Sequence, residues 1–151
     1  QAGTELTLRL DPALPAIRAD ASQLRQVIHN LISNSIDAAG AEAEIEIRTR
    51  SDASPNGPST VHLIFRDNGT GFSSKILAKA FEPYVTTKET GTGLGLPMVK
   101  KILDEHHASI ELSNRTDRTG YLILGAQVDI RFPIFSSATR TSPVSDTQRT
   151  D

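Results

Sequence analysis

The sequence predicts a single α+β or mixed-sheet sandwich with its helices on one face, and three observations predict it. Stretches that alternate with period two stand at 4–10, 44–50, 60–67, 108–114 and 122–132, whereas apolar positions recur at three and four across 24–39 and 94–105. The strands and helices follow no regular βαβα register, which separates the chain from doubly wound parallel folds. Its 151 residues, 37% of them apolar, suffice for one core of ordinary density, and two domains would starve both.

Each element has a local reason. TELTLRL (4–10) alternates as a half-buried strand, and DPALP stops it. Asp20 and Gln23 have capping-box spacing ahead of Leu24, Val27, Ile28, Leu31, Ile32, Ile36 and Ala39, a helical stripe that ends at Gly40. EIEIRTR (44–50) and TVHLIFRD (60–67) are strands joined by SDASPNGPS, a stretch of loop composition. The Gly-rich turn DNGTG leads to a short helix at 74–81, which Pro83 ends. YVTTKETGTG carries too little apolar surface to pack and reads as a flexible cover from Tyr84 to Gly93. A helix from Leu94 to about Glu105 shows Leu96, Val99, Ile102 and Leu103 on one side, and ASIELSN and LILGAQVDIRF close the pattern as strands. Residues 1–135 thus form the domain, and 136–151, with eight Ser or Thr, read as a disordered tail.

Composition excludes several chemistries. With no cysteine there are no disulfides, thiolate metal sites or cysteine nucleophiles. The net charge of −2 gives no global field favouring nucleic acid or an anionic membrane, so neither is expected as a partner. No apolar run approaches the ~20 residues that span a bilayer, and no leader opens the sequence, which fits a cytoplasmic domain. Opening on Gln1-Ala2 rather than Met, the chain reads as one part of a longer protein, with any membrane anchor elsewhere.

Three groups of residues can carry chemistry. Asn30 and Asn34, four apart, project from the same face of the first long helix; a solvated polar face is the ordinary reading of such a pair taken alone, but one amide oxygen from Asn34 could ligate Mg²⁺. Asp67-Asn68-Gly69-Thr70-Gly71 ends a strand. It reads either as a hairpin turn or as a carboxylate awaiting a donor such as an adenine amine, with glycines that let backbone approach the ring. Gly91-Thr92-Gly93-Leu94-Gly95-Leu96 runs into a helix, where free N–H groups and the positive dipole end suit phosphate oxygens; Lys88 can add a mobile cation. This is neither a Walker A loop nor a dinucleotide fingerprint.

In order, QVIHNLISNSIDA (26–38), DNGTG (67–71), FEPY (81–84) and GTGLGL (91–96) resemble the N, G1, F and G2 boxes of the histidine-kinase catalytic and ATP-binding domain. The resemblance spans roughly 4–133, and FEPYVTTK with GTGLGL close behind is similar to short-lid kinases of the nitrogen-regulatory type. It implies a Bergerat-type α/β sandwich: a mixed, mostly antiparallel sheet with helices packed on one face. It implies that Asn34 ligates Mg²⁺ and that Asn30, beside the phosphates, and Lys88 are catalytic. Asp67 accepts from the adenine amine beside Gly69 and Gly71. Asp37, Tyr84, Thr87, Lys88, Gly91, Thr92, Gly93, Leu94, Gly95 and Leu96 complete the nucleotide set. Asn30 stands where gyrase-type ATPases hold a general-base Glu, and a carboxamide cannot abstract a proton from water near neutral pH. HHAS replaces the family's paired glycines and TDRTGYLILGAQ is longer than its final Gly box, so no contact is transferred to 106–127.

The family's phosphoacceptor histidine lies on a separate helical hairpin, and His29, His62, His106 and His107 all lack that context. His106 and His107 read as solvated or dipole-complementing residues at a helix end. The expected function is therefore binding of Mg·ATP and transfer of its γ-phosphoryl group to a histidine on a dimerisation domain of the same parent kinase, with a response regulator downstream. The domain alone is expected to be monomeric and the parent a homodimer. A Ser/Thr kinase or slow ATPase of the same fold, and a non-catalytic nucleotide-binding regulator, are the competing readings.

Overall fold

The computed structural model describes residues 3–53, 59–81 and 95–134. In chain order these residues give β1 (Glu5–Arg9), α1 (Ala21–Ala39), β2 (Glu44–Asp52), β3 (Thr60–Asp67), α2 (Ser74–Lys79), α3 (Gly95–Glu105), β4 (Ser109–Thr116) and β5 (Ile123–Pro133). One five-stranded sheet has the order β1-β2-β3-β5-β4; β1 runs parallel to β2 and every other pairing is antiparallel. The expected mixed, mostly antiparallel sheet with helices on one face is the observed architecture. The expected tail, 136–151, lies outside the described residues.

Asp20 starts α1 as predicted, its carboxylate accepting from the amide of Gln23 at 3.0 Å. At the other end Gly40 adopts φ 78°, a conformation that side chains disfavour, and its N–H bonds to the carbonyl of Ile36. Val27, Leu31 and Ser35 recur every four residues and are buried. With Val99, Ile102 and Leu103 of α3, Val27 and Leu31 cover the sheet face built from Ile45, Ile47, Val61, Phe65, Val128, Ile130 and Phe132. This apolar layer holds the two long helices in fixed relation, each fully buried side chain contributing roughly 1.5–3 kcal/mol. Among the described residues no helix is long and apolar enough to cross a membrane.

One element departs from expectation. Alternation predicts that β1 is half buried, but all five of its residues are exposed, Leu6 and Leu8 at 50% and 56%. Leu6 and Leu8 pair with Ile45 and Ile47 and so share their face. However, α1 lies over β2 and β3 and α3 packs on β4, so helical cover stops short of the edge strand. The opposite sheet face is polar: buried His62 bridges Asp129 (Nδ1 to Oδ1, 2.8 Å) and Asp52 (Nε2 to Oδ2, 2.9 Å).

Candidate nucleotide site

Three segments meet around one stripe of α1. Gln26, Asn30, Asn34 and Ala38 follow one another at intervals of four and so line a single face. At one end of the stripe, Nε2 of Gln26 donates to Sδ of Met98 in the first turn of α3, at 3.2 Å. At the other, the loop after β3 abuts Ala38 so closely that a Cβ on Gly69 would lie 2.9 Å from the Ala38 backbone. Asn30 and Asn34 therefore lie between the start of α3 and the DNGTG loop. The two helices run antiparallel, since Met98 lies near Gln26 and His106 reaches Asp20. The N-terminus of α3, with Gly95 and Leu96, points towards the level of Asn30.

Asp67 is a buried carboxylate beside this stripe. Its side chain is buried at the end of β3, and Oδ1 accepts from the amides of Gly69 at 2.9 Å and Ala126 at 3.1 Å. Among the described residues none donates to Oδ2. The described residues thus hold one oxygen of the carboxylate.

The glycines of the loop also serve close packing within the protein. Gly71 adopts φ 82°, and a Cβ there would meet Asn114 Oδ1 and Ile123 Cγ2, each at 2.7 Å. Their missing side chains thus admit α1, β4 and β5 to the loop, rather than only a ring.

The structure also assigns work to the 106–127 segment, from which the sequence transfers no contact. Arg115 Nη1 donates to the Asp67 carbonyl at 2.5 Å, and Asn114 bonds both backbone groups of Phe72. Gly125 approaches so closely that a Cβ would fall 1.8 Å from the Asp67 carbonyl oxygen. One signal could have revealed Asn114: it occupies the inward register of Ile110 and Leu112, where alternation calls for an apolar residue. Behind the site, burial holds the Arg66 guanidinium below the usual arginine range, helped by Arg115 and Arg48 and opposed by Glu46. His106 is neither solvated nor a mere dipole partner: Nδ1 donates to the Ile102 carbonyl at 2.8 Å, and Nε2 accepts from the Asp20 amide at 3.0 Å.

Of the remaining expected residues, Asn30 and Asn34 are half buried and Asp37 is exposed. Tyr84, Thr87, Lys88, Gly91, Thr92, Gly93 and Leu94, and with them the expected flexible cover, lie outside the described residues.

This arrangement agrees with the comparison by family. Residues 19–135 match the model described as histidine kinase-, DNA gyrase B-, and HSP90-like ATPase. The chain belongs to this ATPase family. Within it, the chain is 34% identical over 150 residues to the sensory histidine kinase/phosphatase NtrB of Rhizobium leguminosarum bv. phaseoli, and 39% identical over 123 residues to NtrB of Rhodobacter capsulatus. These alignments take in 91% and 75% of this chain but only 39% and 34% of the relatives' lengths. The nucleotide-free catalytic domain of histidine kinase ThkA superposes with TM-score 0.70 at 29% identity, covering 87% of this chain and 79% of that one. The mycobacterial sensor histidine kinase MprB shares the fold, with TM-score 0.73 at 19% identity over 87% of this chain and 84% of that one. ThkA is also known in complex with the response regulator protein TrrA, at 24% identity over 87% of this chain and 34% of that one. The histidine-kinase ATPase domain is therefore the common ground of sequence and fold.

Proposed function

We propose that this domain binds Mg·ATP between α1 and the Asp67 loop and presents the γ-phosphoryl group to a histidine on a separate helical dimerisation domain of its parent kinase. The observation that carries the reading is the buried Asp67 carboxylate, with one oxygen fixed by two amides and the other left for an exocyclic amine. Adenine supplies that donor at C6, where a 6-oxo base carries a carbonyl acceptor. The half-buried Asn30 and Asn34, about two turns and one turn from the loop contact at Ala38, are suited to the polyphosphate. The amide oxygen of Asn34 would hold Mg²⁺, which offsets charge on the phosphate oxygens when bound. The start of α3 turns free N–H groups and a positive dipole end the same way, with Lys88 and the glycines before it as further phosphate contacts.

Catalysis in this scheme is positioning and charge stabilisation. Asn30 orients but cannot act as a base, so water is a poor nucleophile here and a supplied imidazole a good one. ATP supply puts the activity on the cytoplasmic side of any membrane, and a response regulator is the downstream acceptor. The test is γ-labelled ATP added to this chain with a His-bearing helical hairpin domain. Acid-labile label on the hairpin is expected. Acid-stable label would identify a Ser/Thr kinase, rapid phosphate release an ATPase, and binding without either a regulatory module.

A further inference from the structure

We propose that Asn114 is a positioning residue that sets the base selectivity of this site, by holding the far end of the loop that Asp67 begins. The inference rests on the nucleotide reading above and extends it to a strand outside every motif that supports that reading.

The loop Asn68–Phe72, which follows Asp67, must hold a carboxylate towards a base edge while having no regular structure of its own. Adjacent residues of a strand point to opposite faces. Here one such pair, Asn114 and Arg115, reaches the two ends of the loop from the two sides of the sheet. Arg115 donates to the Asp67 carbonyl at 2.5 Å. Asn114 accepts from the Phe72 amide at 2.6 Å through Oδ1, and donates to the Phe72 carbonyl at 3.0 Å through Nδ2. A side-chain amide offers an acceptor and a donor on one short planar group, which suits both backbone groups of a single residue. The same Oδ1 is the surface on which Gly71 rests, with no room for a Cβ between them.

Cross-strand register extends the brace to the carboxylate itself. Asn114 pairs with Ala126, whose amide holds Asp67 Oδ1, and Arg115 pairs with Gly125, which abuts the Asp67 carbonyl. The hairpin end thus fixes the acceptor, its carbonyl and the loop exit together. Selectivity depends on that rigidity. A fixed, buried acceptor facing a base carbonyl is left unpaired, which is the strongest way a polar site rejects an analogue. If the loop can withdraw, water enters and the penalty falls.

The experiment measures dissociation constants for ATP and for inosine triphosphate, which carries a carbonyl in place of the amine, on the wild-type chain and on Asn114→Ala. Melting of the ligand-free proteins is followed in parallel. Wild type should prefer ATP by at least ~30-fold, within the range expected for a buried hydrogen-bonded group. Asn114→Ala should weaken ATP about tenfold and inosine triphosphate less than about twofold, so that discrimination collapses by roughly fivefold or more. Asn114→Asp keeps the shape and the acceptor but sets a carboxylate against the Phe72 carbonyl; it should compress discrimination too, and it serves if the alanine variant does not fold. Equal losses for both nucleotides, or discrimination unchanged in a folded variant, would overturn the proposal. Failure of the wild type to bind ATP would instead overturn the nucleotide reading on which it stands.

Discussion

The backbone amide of Asp20 donates to Nε2 of His106 at 3.0 Å, joining the N-cap of α1 to the residue that follows α3. The Nδ1–H of His106 is used on the Ile102 carbonyl, so the tautomer with a free Nε2 lone pair is the one this contact requires. Because α1 carries Asn30 and Asn34, and α3 begins at the level of Asn30, this bond sets the relation between two walls of the candidate site. Substituting His106→Ala removes both bonds and should cost about 1–2 kcal/mol of unfolding free energy. Urea denaturation checks this; a change below about 0.3 kcal/mol would show that water replaces the contact at no cost.

The next residue predicts a change of opposite sign. His107 adopts φ 57°, the one positive φ outside glycine among the described residues, and it closes α3 while the Ala108 amide bonds to the Leu103 carbonyl at 2.9 Å. This is the helix-ending geometry that glycine favours. His107→Gly should therefore raise stability by about 0.5–1 kcal/mol, the strain relieved being partly offset by the entropy glycine loses on folding. A denaturation midpoint that falls would contradict the assignment.

Gly125 predicts a severe substitution where sequence alone suggests a mild one. A methyl group there would overlap the Asp67 carbonyl, and both are backbone-anchored, so neither can turn aside. Gly125→Ala should destabilise the fold by about 1–3 kcal/mol and weaken ATP binding with it, because the carboxylate moves with its backbone. Calorimetry beside a melting curve reads both, and unchanged ATP affinity would uncouple β5 from the site.

On the polar sheet face, hydrogen bonding to Arg48 holds the Glu46 carboxyl below its ordinary value of 4.5, partial burial opposes it, and Arg9 and Arg66 add to the lowering. A depressed carboxyl contributes stability that is present above its unfolded pKa and lost as pH falls through the folded one. The stability difference between wild type and Glu46→Gln should then be constant above about pH 6 and shrink below pH 4.5. Arg9 and Arg48 are solvent-exposed, so the plateau should stay under about 1 kcal/mol and fall with salt. A difference that grows on acidification would reverse the sign of this argument.

Most of the fold was legible because hydrophobic periodicity and caps act locally. Val27, Leu31, Val99, Ile102 and Leu103 are buried as their spacing demands, and Asp20 caps α1 as its spacing with Gln23 demands. Leu6 and Leu8 mislead because alternation reports which face a residue takes, not whether a helix reaches over it. In the site, Asp67, Asn30 and Asn34 belong to compact motifs that sequence displays. Asn114, Gly125 and His106 do not, since their partners at Phe72, Asp67 and Asp20 lie 42, 58 and 86 positions away. Only the paired strands and packed helices bring them together.

The central claim is that Asp67 reads the base of a nucleotide, and calorimetric titration of Mg·ATP into wild type and Asp67→Asn tests it most directly. The asparagine can keep its oxygen on the Gly69 and Ala126 amides, so the fold should survive, but its NH₂ then faces the adenine amine, donor against donor. Loss of a charge-assisted bond with a buried group left unpaired should weaken ATP by roughly 30- to 1000-fold, about 2–4 kcal/mol, at an unchanged melting temperature. An affinity within about threefold of wild type would remove Asp67 from the site and contradict the account.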